Sequence, residues 1–587
     1  MAKVKITGHA SGSGVITVTA PNTSTDRTIT LPDATGSLLT SADVVATQLT
    51  ATSNIGLGTG AVDSITTGDD NVGLGDNAGT ALTSGRRNVV IGSNSFDEAT
   101  TGSDSVSIGY NSGHSVTSGI ENTFVGYFAG SETTTANYNV ALGSSALQVN
   151  TTGANNIAIG RAALDANTTA SNNTAIGHDA LTANTTGANN VAVGKDAGSS
   201  LTTGSYNVAI GTSALKTVTI TTASVAVGER ALEDSTGEHN TALGAHALRE
   251  NTTANQNTGI GYFALGTNTT GAENTAVGAN SLDANTTGDN NTAIGKDALK
   301  SNTTADHNTA VGQAALNTNT TGALNTSVGR ASMYANTTGG SNTALGYAAL
   351  NTNTTGSDNV AMGTSALTAN TTGANNTGIG EEALTSNTTG ANNTCIGLQA
   401  GQYSVGNTTG NSNTIIGAYS RASNAAAQSQ IVMGVDVVGA GDSMFTFGKL
   451  NNRVYNDFAT NASWTRSSDE RKKTEIADAT LGLDFVNDLS TKTFKWKRSQ
   501  DIPNTLDDYD ANVNHMNTDV TMHGMIAQDV KAALDTAGVT TFGGWAEQSD
   551  GSQSLSQEMF IYPLIKAIQE LSTKNDALEA RITALES

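Results

Sequence analysis

Ser467-Ser468-Asp469-Glu470-Arg471-Lys472-Lys473 gathers the residue types that could carry covalent chemistry. A serine hydroxyl is a poor nucleophile until a base takes its proton. Lysine can be that base when burial or neighbouring positive charge makes its ammonium release a proton readily. Lys473 stands five residues after Ser468, with Arg471 and Lys472 beside it. The same residues admit a plainer reading. Ser or Asp with Glu close behind is a common helix start, the side-chain oxygen capping the first turn. Taken alone, the stretch leaves both readings open.

Other chemistries find little support. The eight histidines are scattered, without His-x-His or His-Glu-x-x-His spacing, so no metal site is expected and no cofactor is implied. Gly56-Leu-Gly58-Thr-Gly60 echoes a dinucleotide loop, but no long helix pattern follows it. Glu381-Glu382 and Asp69-Asp70 could suggest a glycosidase groove; in so regular a sequence they read better as solvated turns. A net charge of −23 excludes nucleic acid and anionic membrane surfaces as partners on electrostatic grounds. The single cysteine, Cys395, excludes an internal disulfide framework. The first residues lack the apolar core of a signal peptide, and no apolar run is long enough for membrane insertion.

Most of the chain consists of elements that would position a site rather than form one. From about residue 55 to 434 a pattern recurs, as in Thr292-Ala-Ile-Gly-Lys-Asp-Ala-Leu-Lys-Ser-Asn-Thr-Thr-Ala-Asp-His-Asn308. The glycine closing each short apolar run falls every 17 residues from Gly58 to Gly434, apart from one spacing of 16 (228 to 244) and one of 20 (397 to 417). A fixed short period means a solenoid whose turns bury their apolar faces against their neighbours. Only 13% of residues are charged and 4% aromatic, so the core must be thin and built from small side chains. The expected fold is mainly β: a long parallel β-roll of 17-residue repeats over residues 46–438, then an α+β domain. At about 4.8 Å per strand, twenty-three turns make a rod on the order of 110 Å long.

Within Thr-Ala-Ile-Gly, Thr and Ile share one face while Ala and Gly share the other. The small face suggests close contact with something flat, and three rolls packed around one axis would supply it. A second short strand is expected around Ala-Leu. Asn-Thr-Thr-Gly should make the return turn, with Asn and Gly in left-handed conformations, and stacking should align Asn and Thr in ladders. Residues 1–45 lie outside the repeat and suggest two strands, over 14–20 and 27–32. Residues 439–467 bring Phe445, Phe447, Val454, Tyr455, Phe458 and Trp464 in quick succession and form an aromatic connector.

The repeat resembles the head of trimeric autotransporter adhesins, where Asn-x-Ala-Ile-Gly units form a trimeric β-roll; here the period is longer. The Thr-Ile-Thr-Leu-Pro-Asp-Ala-Thr-Gly stretch near the start resembles segments that open many bacteriophage tail fibres, which implies an attachment module. The last fifth is more specific. Ser468-Asp469-Glu470-Arg471-Lys472-Lys473, Thr493-Phe494-Lys495-Trp496-Lys497, His523-Gly524-Met525-Ile526-Ala527-Gln528-Asp529-Val530 and Tyr562–Leu571 resemble, in order, the motifs of the self-cleaving intramolecular chaperone of phage endosialidases and tail fibres. That resemblance, covering residues 468–587, implies Ser468 as nucleophile, Lys473 as base and the Ser467–Ser468 bond as the cleavage site. Lys472 stands where Leu is more usual in that family.

Leu564, Ile568, Leu571, Asn575, Leu578, Ile582 and Leu585 alternate spacings of four and three, an a/d seam that reads as a coiled coil over about 562–587, in keeping with a trimer; a single helix lying on its own domain is the alternative. The resulting expectation is a homotrimeric tail fibre of a phage virion, made in the host cytoplasm. Its N-terminus would join a tail, baseplate or adaptor protein, and its shaft a glycan or outer-membrane receptor on the host. Its only catalysis would be one self-cleavage. A glycan-degrading tailspike and a cellular adhesin are the alternatives. Receptor contacts are expected where register breaks, near 398–417 or in the aromatic stretch 445–466.

Overall fold

In the repeat, three residues per turn are extended. Ile157–Ile159 pairs in parallel, in register, with Val140–Leu142 on one side and Thr174–Ile176 on the other. Twenty-three such strands, from Ile55–Leu57 to Ile431–Val435, make one continuous ladder. The closing glycine fixes the period. Gly160 has a φ of +133°, and a Cβ there would lie 2.3 Å from the carbonyl oxygen of Gly177. Only glycine meets both conditions. The computed structural model describes residues 53–402, 409–450, 452–457, 468–506, 509–512, 514 and 518–587, with the backbones of strands Lys5–Gly8, Ile16–Thr19 and Gln48–Leu49.

The expected ladders are present. Asn156 Oδ1 accepts the backbone N–H of Asn173 (3.0 Å), and its Nδ2 donates to the Ala170 carbonyl (2.9 Å). A second column runs through Asn150 and Asn167, with Nδ2 of Asn167 donating to Oδ1 of Asn150 at 2.7 Å. Thr151 Oγ1 donates to the Thr168 carbonyl at 2.9 Å. Asn150, Asn156 and Asn167 are fully buried, which is tolerable only because their amides are hydrogen-bonded.

Three local expectations fail. The small residues do not face a neighbouring chain: Ala141, Ala158 and Ala175 point into the chain's own interior, where Ala163 and Leu164 fill the remaining space. Ala-Leu forms no second strand, because residues 161–166 are a turn. Leu164 adopts φ +52°, a strained conformation for leucine that its complete burial offsets. Nor are the asparagine and glycine of Asn150-Thr-Thr-Gly153 left-handed; that conformation falls on Ala162, Leu164 and Asn155. Asn150 instead donates its Nδ2 to the Gly153 carbonyl at 2.9 Å and so closes the turn locally.

The third residue of each strand turns away from the core. It is Ile, Leu, Val or Met in all twenty-three strands and is never buried. Leu243 is 47% exposed and Ile416 36%. The two irregular turns keep this register. Val225 stays opposite Thr241 across the 16-residue turn, and Thr394 opposite Thr414 across the 20-residue one. The length changes are therefore absorbed outside the strands.

At the N-terminal side, Lys5–Gly8 pairs antiparallel with Ile16–Thr19, within the strand expected over 14–20. The strand expected over 27–32 lies outside the described residues. After the last turn the sheet continues: Phe445 lies opposite Ile431 and Phe447 opposite Met433, and Met444–Lys449 forms a hairpin with Asn452–Asp457. Phe458 and Trp464 lie outside the described residues.

Residues 467–587 form a second compact unit, with helices α1 (Leu483–Asp488), α2 (Ala527–Thr536) and α3 (Ile561–Glu586). Two antiparallel hairpins join them, Thr491–Phe494 with Met522–Met525 and Trp545–Glu547 with Gln553–Leu555. Leu481, Phe485, Val530, Ala533, Leu534 and Phe560 are its buried core. Helix α3 locks α1 in place: Glu570 Oε2 accepts the N–H of Leu483 at 2.8 Å. A Cβ at Gly482 would sit 2.3 Å from that carboxylate, so a larger residue there would push the Glu570 side chain aside. Beyond Ala567, α3 buries nothing within its own chain, and Leu585 is 85% exposed. No helix among the described residues is long and apolar enough to cross a membrane.

Candidate functional site

The segment from Ser468 to Lys473 is a capped turn that brings the Ser468 hydroxyl and the Lys473 amine together. Asp469 caps a single 3-10 turn, Glu470–Lys472, its Oδ1 accepting the backbone N–H of Arg471 at 2.9 Å. Arg471 folds back on the same carboxylate, Nε to Oδ1 at 3.0 Å and Nη2 to Oδ2 at 2.6 Å. This contact, with the charge of Lys472 adding to it, holds the Asp469 carboxyl below the usual carboxylate range. The capped turn reverses the chain, and the N–H of Lys473 donates to the Glu470 carbonyl at 2.9 Å. Lys473 Nζ is thereby delivered to Ser468 Oγ at 2.7 Å. The cap that looked like a competing explanation is the device that brings the two groups together.

Both Ser468 and Lys473 are exposed. Arg471, one of the two cations expected to favour a neutral Lys473, has its charge engaged by Asp469. The clamp between Asp469 and Arg471 is the feature sequence reasoning missed. Their i, i+2 spacing next to the Ser–Lys pair was its only signal. Ser467, on the other side of the expected cleavage site, lies outside the described residues.

The downstream motifs support the unit's core. Thr493 and Phe494 pair with His523 and Met522, so two of the motifs form one hairpin. In the third motif, Met525 packs against the core and Val530 is buried within it, while His523, Gln528 and Asp529 remain exposed. Phe494 and Trp496 make an edge-to-face contact at 5.5 Å.

Elsewhere, His178, Asp179 and Asp196 bring potential ligand atoms within 4.8 Å of one another. These atoms are already engaged. Arg161 Nη1 lies 2.9 Å from His178 Nε2, His178 Nδ1 lies 2.9 Å from Asp179 Oδ2, and Lys216 Nζ lies 3.2 Å from Asp196 Oδ2. Two neighbouring cations make this a poor place for a third. Asp69 and Asp70 are solvent-exposed, and Glu382 Oε2 accepts an amide N–H of Gln399 at 2.7 Å.

Residues 468–539 match the family model described as the chaperone of endosialidase. The first three motifs fall inside the match; Tyr562–Leu571 lies beyond it. No curated protein and no solved structure matches the chain. A parallel β-solenoid followed by a chaperone-of-endosialidase segment is a tail-fibre-like or tailspike-like combination.

Proposed function

We propose that this chain is the structural and receptor-binding fibre of a bacteriophage tail, assembled as a homotrimer by a C-terminal segment that then cuts itself off before Ser468. The observation that carries this reading is the 2.7 Å contact between Lys473 Nζ and Ser468 Oγ, inside a segment matching the chaperone of endosialidase. In this reading Lys473, as a neutral amine, takes the Ser468 hydroxyl proton while Oγ attacks the carbonyl carbon of Ser467. The Oγ–C bond forms, the C–N bond between Ser467 and Ser468 breaks, and the proton passes to the leaving amine. Water hydrolyses the ester, restoring the Ser468 hydroxyl and leaving a carboxylate on Ser467. The chain acts once, on itself.

Two surfaces support assembly. The outward aliphatic column runs the length of the ladder, on the order of 105 Å at strand spacing. An apolar stripe that long marks a contact surface, and another copy of the same chain repeats at the same interval. On α3, Leu564, Ile568, Leu571, Leu578, Ile582 and Leu585 are all exposed along one seam. The number three comes from the resemblance to chaperone and adhesin trimers.

The two surfaces differ in what they specify. A shift of one turn along the shaft leaves aliphatic against aliphatic, so the column is blind to register. A short seam containing Asn575 is not, because a polar residue at a core position pairs best with its own kind. Trimerising first through α3 would set the register, and removing 468–587 afterwards would leave a kinetically trapped fibre. Native mass spectrometry tests this assignment. It predicts three chains ending at Ser467 and a separate fragment 468–587; monomeric full-length chains would contradict it.

A further inference from the structure

Near the end of the shaft, one outer corner changes character. On four successive turns the second residue after the closing glycine is Glu382, Gln399, Tyr419 and Asp436. Gln402 and Arg421 stand beside them, and five of these six side chains line an open pocket of about 370 Å³. That volume lies in the range of roughly 300–1,000 Å³ typical of small-molecule sites. Gln399 Nε2 donates to Glu382 Oε2 at 2.7 Å, and Gln402 Nε2 to the same oxygen at 3.3 Å. Arg421 Nη1 pairs with Asp436 Oδ1 at 3.1 Å. Tyr419 remains 46% exposed.

We infer that this pocket is a saccharide subsite for a neutral pyranose, an inference that rests on the receptor-binding reading above. The chemistry is specific. A tyrosine ring offers an apolar face to the C–H face of a sugar. Around it stand the other groups a hydroxyl-bearing edge requires. The amide oxygens and the carboxylate accept, and Arg421 presents N–H donors in a rigid fork of which the described contacts use one. Arg421 and Asp436 cancel in charge, and Glu382 is engaged by two amides. The pocket therefore has no free cation to attract an acidic sugar, and a chain of net charge −23 repels one. The extra residues of the 20-residue turn lie between the second and third of the closing glycines concerned, 397 and 417, where the sequence departs from regularity.

Saturation-transfer NMR on the full-length protein, with the methyl glycosides of glucose, galactose and N-acetylglucosamine as probes, tests the inference. At least one probe should receive saturation from wild type. Tyr419→Ala should lose that signal, and Arg421→Lys should reduce it several-fold, both with unchanged thermal transitions because the two side chains lie on the surface. Equal transfer in wild type and Tyr419→Ala would overturn the assignment. A protein processed at Ser468 that transfers to none of the three probes refutes the subsite and leaves the fibre reading standing. Tyr419-dependent transfer from a protein that is never processed supports the subsite and counts against the fibre reading.

Discussion

The shaft and the C-terminal unit solve opposite problems. The shaft bonds turn to turn: Asn156 accepts the N–H of Asn173 and donates to the Ala170 carbonyl on the following turn, its own N–H donates to Asn139 Oδ1 on the preceding one, and Ala158 and Leu164 are sealed inside. What it leaves open is one apolar column of Ile, Leu, Val and Met that runs from end to end. The C-terminal unit has a core of six buried residues and leaves Ser468, Lys473 and most of α3 in solvent. Regularity leaves the shaft without an address; irregularity gives the smaller unit one. A perfect repeat can specify what stacks on what, but only a non-repeating element can specify where stacking begins.

The sharpest way to break the comparison is at a closing glycine. Gly160→Val would force a side chain into the Gly177 carbonyl at a φ that L-residues avoid. We expect a loss of at least about 3 kcal/mol, read as a lowered midpoint in chemical denaturation, with the C-terminal unit's near-UV signal unchanged. Next comes the ladder. Asn156→Ala leaves the buried Asn173 N–H without its acceptor, while the Ala170 carbonyl still accepts from Asn167 Nδ2 at 3.0 Å. At about 1–3 kcal/mol for one buried group left unsatisfied, a cost of about 1–3 kcal/mol follows in the same measurement. Leu578→Asp should leave the single chain's stability within about 0.5 kcal/mol, because the residue is exposed. It should nevertheless weaken self-association tenfold or more, measured by sedimentation.

The smallest expected effect is electrostatic. Burial, reinforced by Asp179, holds the Asp165 carboxyl above its usual range. A raised carboxyl pKa destabilises the fold wherever the group is ionised, and that penalty fades as pH falls through the raised value. Asp165→Asn should therefore stabilise the shaft slightly at neutral pH and not at all once the wild-type carboxyl is protonated. Melting curves across that window would show a constant difference if the sign were wrong.

Much of this architecture was legible in the residues. The closing glycines gave the period, the asparagines and threonines their ladders, and the seam from Leu564 to Leu585 the helix Ile561–Glu586. The direction of the strand faces was not legible. Alternation separates Ala158 from Ile157 and Ile159 but does not say which side is inside. The small face reads as a flat contact surface until the bulk that completes the core is placed, and that bulk comes from Leu164, a turn residue with φ +52°. At the site, the five-residue spacing suggested that Ser468 and Lys473 could meet. That Asp469 and Arg471 would clamp the turn which makes them meet depends on side-chain geometry that spacing does not encode.

The central claim is that Ser468 and Lys473 together cut the chain once. Intact-mass analysis of wild type, Ser468→Ala and Lys473→Met, each folded without denaturant, tests it most directly. Wild type should divide between Ser467 and Ser468, and each variant should remain one full-length chain. A wild type that is never cut, or a Lys473→Met chain cut as completely as wild type, would contradict the account.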